Sequence, residues 1–120
     1  MDYSTVLLTG ATGTVGLATT EALLQRGHNV VGYALEPPLA SARAALDRLP
    51  GAYTFVSGDI LDSTRLTESI LKHDAHTVIH GAALTPTADR ERTRPDVTMR
   101  VNIEGPVRVA MAVHAASAHV

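Results

Sequence analysis

The stretch Thr9-Gly10-Ala11-Thr12-Gly13-Thr14-Val15-Gly16 restricts the folding options of this chain more than any other. It follows a β-branched apolar run, Thr5-Val6-Leu7-Leu8-Thr9, and opens a helical pattern, so its glycines lie in a strand-to-helix turn. Each glycine has a distinct task there. Gly10 lets the chain turn tightly off the strand. Gly13, without a Cβ, leaves the backbone open to a pyrophosphate. Gly16 lets the helix pack closely on the strand. The N–H groups of the first helical turn and the helix dipole then favour negative charge. Gly10, Thr12, Gly13, Thr14, Val15 and Gly16 are therefore candidate dinucleotide-binding positions. The alternative is a tight turn with no ligand.

The rest of the chain alternates in the same way. Further β-rich runs span His28 to Tyr33, Tyr53 to Val56 and His76 to His80. The first, second and fourth runs are nearly continuously apolar, as in strands of a parallel sheet covered on both faces. Helical patterns fill the gaps. One covers Gly13 to Arg26, with Val15, Ala18 and Ala22 on one face and Gly27 as a left-handed cap. A second covers Leu39 to Leu49, with Ala42, Ala45, Leu46 and Leu49 inward, and Pro50-Gly51 ends it. A third starts at Asp62, an N-cap, and carries Leu66 and Ile70 inward. A fourth runs from Asp96 to Ala116 with Ile103, Val107 and Ala110 on one face. The β-α-β-α-β-α-β-α order predicts an α/β fold, a Rossmann-like doubly wound parallel sheet with strand order 3-2-1-4, in one domain over 1–120. The polar, Arg-rich stretch Thr85 to Pro95 is expected as a solvated loop, or as a substrate-side loop at the strand ends.

Composition removes several function classes. The net charge of −2, with acids and bases interspersed, argues against a nucleic-acid or anionic-membrane surface. There are no cysteines, so thiol catalysis, disulfides and thiolate metal sites are excluded. His73, His76 and His80 have no convincing metal spacing with carboxylates. No leader precedes the first strand and no apolar run has bilayer length, so the expectation is a cytoplasmic protein with no membrane partner and no metal.

Four motifs together resemble the extended branch of the short-chain dehydrogenase/reductase superfamily, the NAD-dependent epimerase/dehydratase family. They are Thr9-Gly10-Ala11-Thr12-Gly13-x-x-Gly16, Gly58-Asp59-Ile60 after the third strand, Val78-Ile79-His80-Gly81-Ala82-Ala83 after the fourth, and Asn102-Ile103-Glu104-Gly105 on the last helix. The resemblance covers essentially the whole chain. It implies that Asp59 accepts a hydrogen bond from the adenine amino group and that the Ile60 backbone contacts the ring. It implies that Gly81, Ala82 and Ala83 line the pyrophosphate and nicotinamide ribose. Asn102 would anchor the region after the fourth strand or join a proton relay through its main chain. Local alternatives stand beside these roles: a capping or turn residue for Asp59, a buried structural amide for Asn102, and a partly buried strand histidine for His80.

Two positions depart from the family pattern. The acid expected at the end of the second strand for the ribose 2′-hydroxyl falls near Ala34. Glu36 lies two residues on and would favour NAD, unless it is a solvated loop acid; Arg43 would serve a 2′-phosphate and favour NADP. Pro106 stands where threonine is common. It removes a backbone donor and clashes with the Asn102 carbonyl, which predicts a break in the helix there.

The family's Tyr-x-x-x-Lys pair has no counterpart. The single lysine, Lys72, has Glu68 four residues before it. Tyr3, Tyr33 and Tyr53 read as structural. The expectation is a chain truncated after its fourth βα unit, about where a fifth strand begins, without the catalytic segment or the substrate domain. Its function would be the dinucleotide-binding part of an epimerase, dehydratase or reductase acting on a nucleotide-sugar or similar hydroxyl or carbonyl substrate. The alternatives are a noncatalytic NAD(P)-sensing module and an interaction domain without a ligand. An unpaired fourth strand or the fourth helix would favour self-association.

Overall fold

A computed structural model describes residues 5–84 and 87–117; Tyr3, Thr85, Pro86 and the last three residues lie outside the described set. The elements are β1 (Thr5–Thr9), α1 (Thr14–Gln25), β2 (Asn29–Ala34), α2 (Ala40–Leu46), β3 (Tyr53–Ser57), α3 (Ser63–Lys72), β4 (Thr77–His80), α4 (Ala88–Thr93), α5 (Pro95–Met99), a π-helical turn (Arg100–Glu104) and α6 (Gly105–Ser117). The four strands form one parallel sheet in the order β3-β2-β1-β4, as the alternation predicts.

Alternation along the central strands divides the interior in two. Leu7, Val31 and Tyr33 face a core completed by Leu66 and Ile70 of α3 and by Val109, Ala112 and Ala116 of α6. Leu8 and Val30 face the opposite core with Ala11, Leu24 of α1, Leu46 of α2 and Tyr53. Both faces of β1 and β2 are therefore covered, which is why their sequences are almost unbroken apolar runs. Fully buried leucines such as Leu7, Leu24 and Leu66 each contribute about 1.5–3 kcal/mol by leaving water. The expected caps are present: Gly27 is left-handed at φ 87°, and the Asp62 side chain accepts from Arg65 N at 3.0 Å.

Four expectations are corrected. In α1 the inward residues are Gly16, Thr20 and Leu24; Ala18 and Ala22 are exposed, and Val15 is 77% exposed. Close approach selects this face. Gly16 lies against the Gly10–Ala11 backbone, and the Thr20 hydroxyl is satisfied within the helix by donating to Gly16 O at 2.8 Å. In α2 only Leu46 is fully buried; Ala45 is exposed, and the helix stops at Leu46, short of Leu49.

The last helix departs most. The long single helix is instead α5, a π turn and α6, and its buried ridge is Gly105, Val109, Ala112 and Ala116. Ile103, Val107 and Ala110 face outward. Small residues, Gly105, Ala112 and Ala116, carry most of the face that α6 turns to the core. The π turn is the wider i→i+5 form of helix. It occupies the turn ahead of Pro106, where a broken ladder is predicted, with Gly105 N bonded back to Arg100 O. The stretch read as a loop before it holds α4, capped by the Thr87 hydroxyl accepting from Arg90 N at 3.1 Å, and α5, with Pro95 in its first turn. Among the described residues no helix is long and apolar enough to cross a membrane, and no histidine–carboxylate cluster suits a metal.

Candidate functional site

A cleft of about 540 Å³ opens at the carboxyl ends of the strands, where β1 lies between β2 and β4. Successive connections leave the sheet in opposite senses there, the usual position for a ligand in an open α/β sheet. Its floor is the glycine turn, with Gly10, Thr12 and Gly13 against Gly81, Ala82 and Ala83. One end is formed by Tyr33, Ala34, Leu35 and Glu36, and one side by Gly58, Asp59, Ile60 and Leu61. The remaining wall is Leu84, Arg94, Asp96, Val97, Arg100 and Val101.

The three glycines do different work. Gly10 has φ 68°, and a Cβ there would lie 2.6 Å from the Gly81 carbonyl carbon and oxygen and 2.7 Å from Ala82 N. Its turn is fixed further by Gly10 N donating to Tyr33 O at 3.0 Å. A Cβ on Gly16 would overlap the Gly10 carbonyl oxygen. Both glycines are demanded by the protein's own packing. Gly13 is not: a Cβ there would meet only Gly10 O, at 3.6 Å, and the residue is exposed on the cleft floor at the N-cap of α1. A site whose bareness the fold does not need is what close approach by a ligand requires. The positive end of the 12-residue α1, with no acidic residue in its first turn, suits a pyrophosphate, and the cleft fits a dinucleotide in this respect.

Other expected positions divide clearly. Glu36, Asp59, Ile60, Gly81, Ala82 and Ala83 all line the cleft with Gly10, Thr12 and Gly13. Thr14, Val15 and Gly16 do not; they form the first turn of α1 behind the floor. Asp59 also has a local role, its Oδ1 accepting from Leu61 N at 2.9 Å, while its carbonyl accepts from the Tyr33 hydroxyl at 2.8 Å. Burial, reinforced by Asp62 and opposed by Arg65, pushes the Tyr33 phenol up to about 12, so it is a neutral donor that ties β2 to the Gly58–Ile60 turn.

Arg43 is not in the cleft. It lies on α2, bonded to Asp47 at 3.0 Å and stacked 4.9 Å over the Tyr53 ring. Burial raises the Tyr53 phenol, with Arg43 opposing and Asp47 adding, which agrees with its expected structural role. Asn102 acts as a clasp: its Nδ2 donates to Leu84 O at 2.9 Å and its Oδ1 accepts from Leu84 N at 2.8 Å. The half-buried amide thus anchors the segment leaving β4, as in the first of the roles that the sequence reading offers for it.

Two arginines also line the cleft: Arg94, from the Arg-rich stretch with a substrate-side alternative, and Arg100, which sequence reasoning missed. Arg94 makes a paired contact with Asp96, 3.1 Å for each of two N–H···O bonds, on the open rim. The pairing raises the arginine and lowers the aspartate. Arg100 bonds Glu104, which Arg108 also contacts, and the two guanidiniums hold that carboxyl below its usual range. The Thr87 cap and Pro95 were the available signals for this wall.

The protein-family model described as the NAD dependent epimerase/dehydratase family matches residues 6–120. A UDP-glucose 4-epimerase from Klebsiella pneumoniae is 36% identical over 115 residues, covering 92% of this chain and 81% of that protein. Among solved structures, the UDP-glucose 4-epimerase of Stenotrophomonas maltophila with bound NAD and formylated UDP-arabinopyranose superposes with a TM-score of 0.83 and 30% identity, over 95% of this chain. The Brucella ovis UDP-glucose 4-epimerase in complex with NAD gives 0.76 and 29%, also over 95%. The chain spans about a third of each solved protein, 34% and 33% respectively. A match across nearly the full sequence, with the cleft and glycine turn in place, shows that the chain belongs to the NAD-dependent epimerase/dehydratase family.

Proposed function

We propose that this chain is the NAD-binding part of an epimerase or dehydratase whose substrate is a nucleotide-sugar or a similar hydroxyl or carbonyl compound. The observation that carries the reading is the uncrowded Gly13 on the floor of the cleft, between two glycines that the fold itself requires. Bound NAD supplies hydride transfer; the residues here bind and orient it. Gly10, Gly13 and the α1 N-terminus would hold the pyrophosphate. Asp59 and Ile60 would hold the adenine, and Gly81 to Ala83 the nicotinamide ribose. Glu36 supports NAD over NADP, because a carboxylate repels a 2′-phosphate and Arg43 is engaged on α2.

Titration calorimetry of the 120-residue chain with NAD⁺ and NADP⁺ tests this. Saturable NAD⁺ binding, with weaker or no NADP⁺ binding, is expected; a folded sample that binds neither overturns it. No turnover of UDP-glucose is expected from these residues alone, since Lys72, with Glu68 four residues earlier, gives no Tyr-x-x-x-Lys pair. The alternative reading is a noncatalytic NAD-binding module on the same fold. A Tyr-x-x-x-Lys pair in adjoining coding sequence, with epimerisation by the longer protein, separates the two. We also propose a cytoplasmic location and self-association through the outward ridge Met99, Ile103, Val107 and Met111, each at least 50% exposed.

A further inference from the structure

Thr9 ends β1 with no exposed surface, and its register partner is His80, the last residue of β4. Three nitrogens converge on its hydroxyl oxygen: His80 Nδ1 at 2.7 Å, Gly81 N at 3.0 Å and Ala82 N at 3.3 Å. A hydroxyl has one proton to give and two lone pairs to receive with. The two amides are donors and occupy the lone pairs; the Gly81 N–H is shared with the Thr9 carbonyl at 3.1 Å. The hydroxyl proton is sealed from water, and the only acceptor among these contacts is His80 Nδ1. A ring protonated at Nδ1 would set three N–H donors on one oxygen and leave the buried O–H without an acceptor, which costs far more than the alternative.

We infer that the Thr9 hydroxyl and a neutral His80 protonated only at Nε2 form a positioning pair that fixes the Gly81–Ala82 floor of the cleft. The floor is sensitive to such a hold. Gly10 presses on the Gly81–Ala82 backbone so closely that a Cβ there would lie 2.6 Å from it. A shift of that backbone therefore displaces the glycine turn as well. The pair joins residues 71 positions apart, and it carries the register of β1 against β4 into the cleft. Neither residue lines the cleft, so both act through others.

The inference uses the NAD reading for one of its three readouts only. Long-range ¹H–¹⁵N spectra of the chain should show His80 with an unprotonated Nδ1; an Nδ1–H ring overturns the assignment. Thr9→Val keeps the shape and removes the hydroxyl, and Thr9→Ser restores it. Amide exchange at Gly81 and Ala82 should be slow in the native chain and in Thr9→Ser, and faster in Thr9→Val by about tenfold or more. NAD⁺ affinity should fall at least about tenfold in Thr9→Val and recover in Thr9→Ser. Equal exchange in all three proteins refutes the positioning role. A native chain that binds no NAD⁺ yet shows the expected tautomer and exchange pattern overturns the proposed function and leaves this inference standing.

Discussion

Gly13 and Gly16 look alike in the motif and differ in what holds them. A methyl group on Gly16 meets the Gly10 carbonyl, so Gly16→Ala should destabilise the chain by about 1–3 kcal/mol or more through overpacking, read as a lower urea midpoint. Gly13→Ala should change stability by only about 0.5–1 kcal/mol, the difference between glycine and alanine at an N-cap, while NAD⁺ binding falls sharply. Undiminished binding by folded Gly13→Ala would contradict the pyrophosphate role. His80 gives the chain a pH dependence of known sign. Burial lowers its pKa in the fold, so the native state resists a proton that the unfolded chain accepts. The stability due to neutral His80 is complete above the ordinary histidine value and declines as pH falls through the lowered one. Urea midpoints should therefore hold from about pH 8 down to the ordinary histidine value of about 6.5 and drop below it, less steeply in His80→Asn. Equal slopes would remove His80 as a source.

At the scale of elements, the strand readings and the inward face of α3 (Leu66, Ile70) held, while the faces read for α1 and α6 did not, and the reason is physical. β1 and β2 bury both faces, so hydrophobicity alone marks them. The buried face of α1 is chosen by small residues that permit close approach, Gly16 and Thr20, and an apolar count points instead to the exposed Val15. In α6 likewise the buried face is carried mostly by small residues, Gly105, Ala112 and Ala116 beside Val109, and an apolar count points instead to the exposed Ile103 and Val107. The glycine turn was legible because local spacing sets it; Gly58–Ile60 was legible only through the family resemblance. The far wall was legible only as a substrate-side alternative for the stretch holding Arg94, and Arg100 not at all, because their place depends on two short helices and a clasp across 18 positions. That clasp is testable. Asn102→Ala leaves both polar groups of the Leu84 backbone without their partner and should cost about 1–3 kcal/mol. Asn102→Asp, which cannot donate to the Leu84 carbonyl, should not rescue it. A native urea midpoint in either variant would show that water replaces the amide.

For the molecule as a whole, the cleft floor and the sheet centre are made from the same strand ends, so ligand binding and folding are linked. NAD⁺ at about 100 times its dissociation constant should raise the unfolding free energy by about 2.7 kcal/mol, measured as a higher urea midpoint. NADP⁺ at the same concentration should raise it less. The outward ridge of α5, the π turn and α6 belongs to this scale too. Val107→Glu with Met111→Glu, both at exposed positions, should leave the fold intact and convert any associated species to monomer in sedimentation. A native chain that sediments as a monomer removes the need for the ridge to associate.

The Leu84–Asn102 clasp has one more consequence. It pins both ends of an excursion, and the entropy of closing such an excursion grows only slowly with its length. Evolution or an engineer can therefore lengthen and rewrite the residues between the pins, Arg94 and Asp96 among them, while the glycine floor stays where it is. One wall of the cleft is free to diversify, and the other is held fast by the sheet.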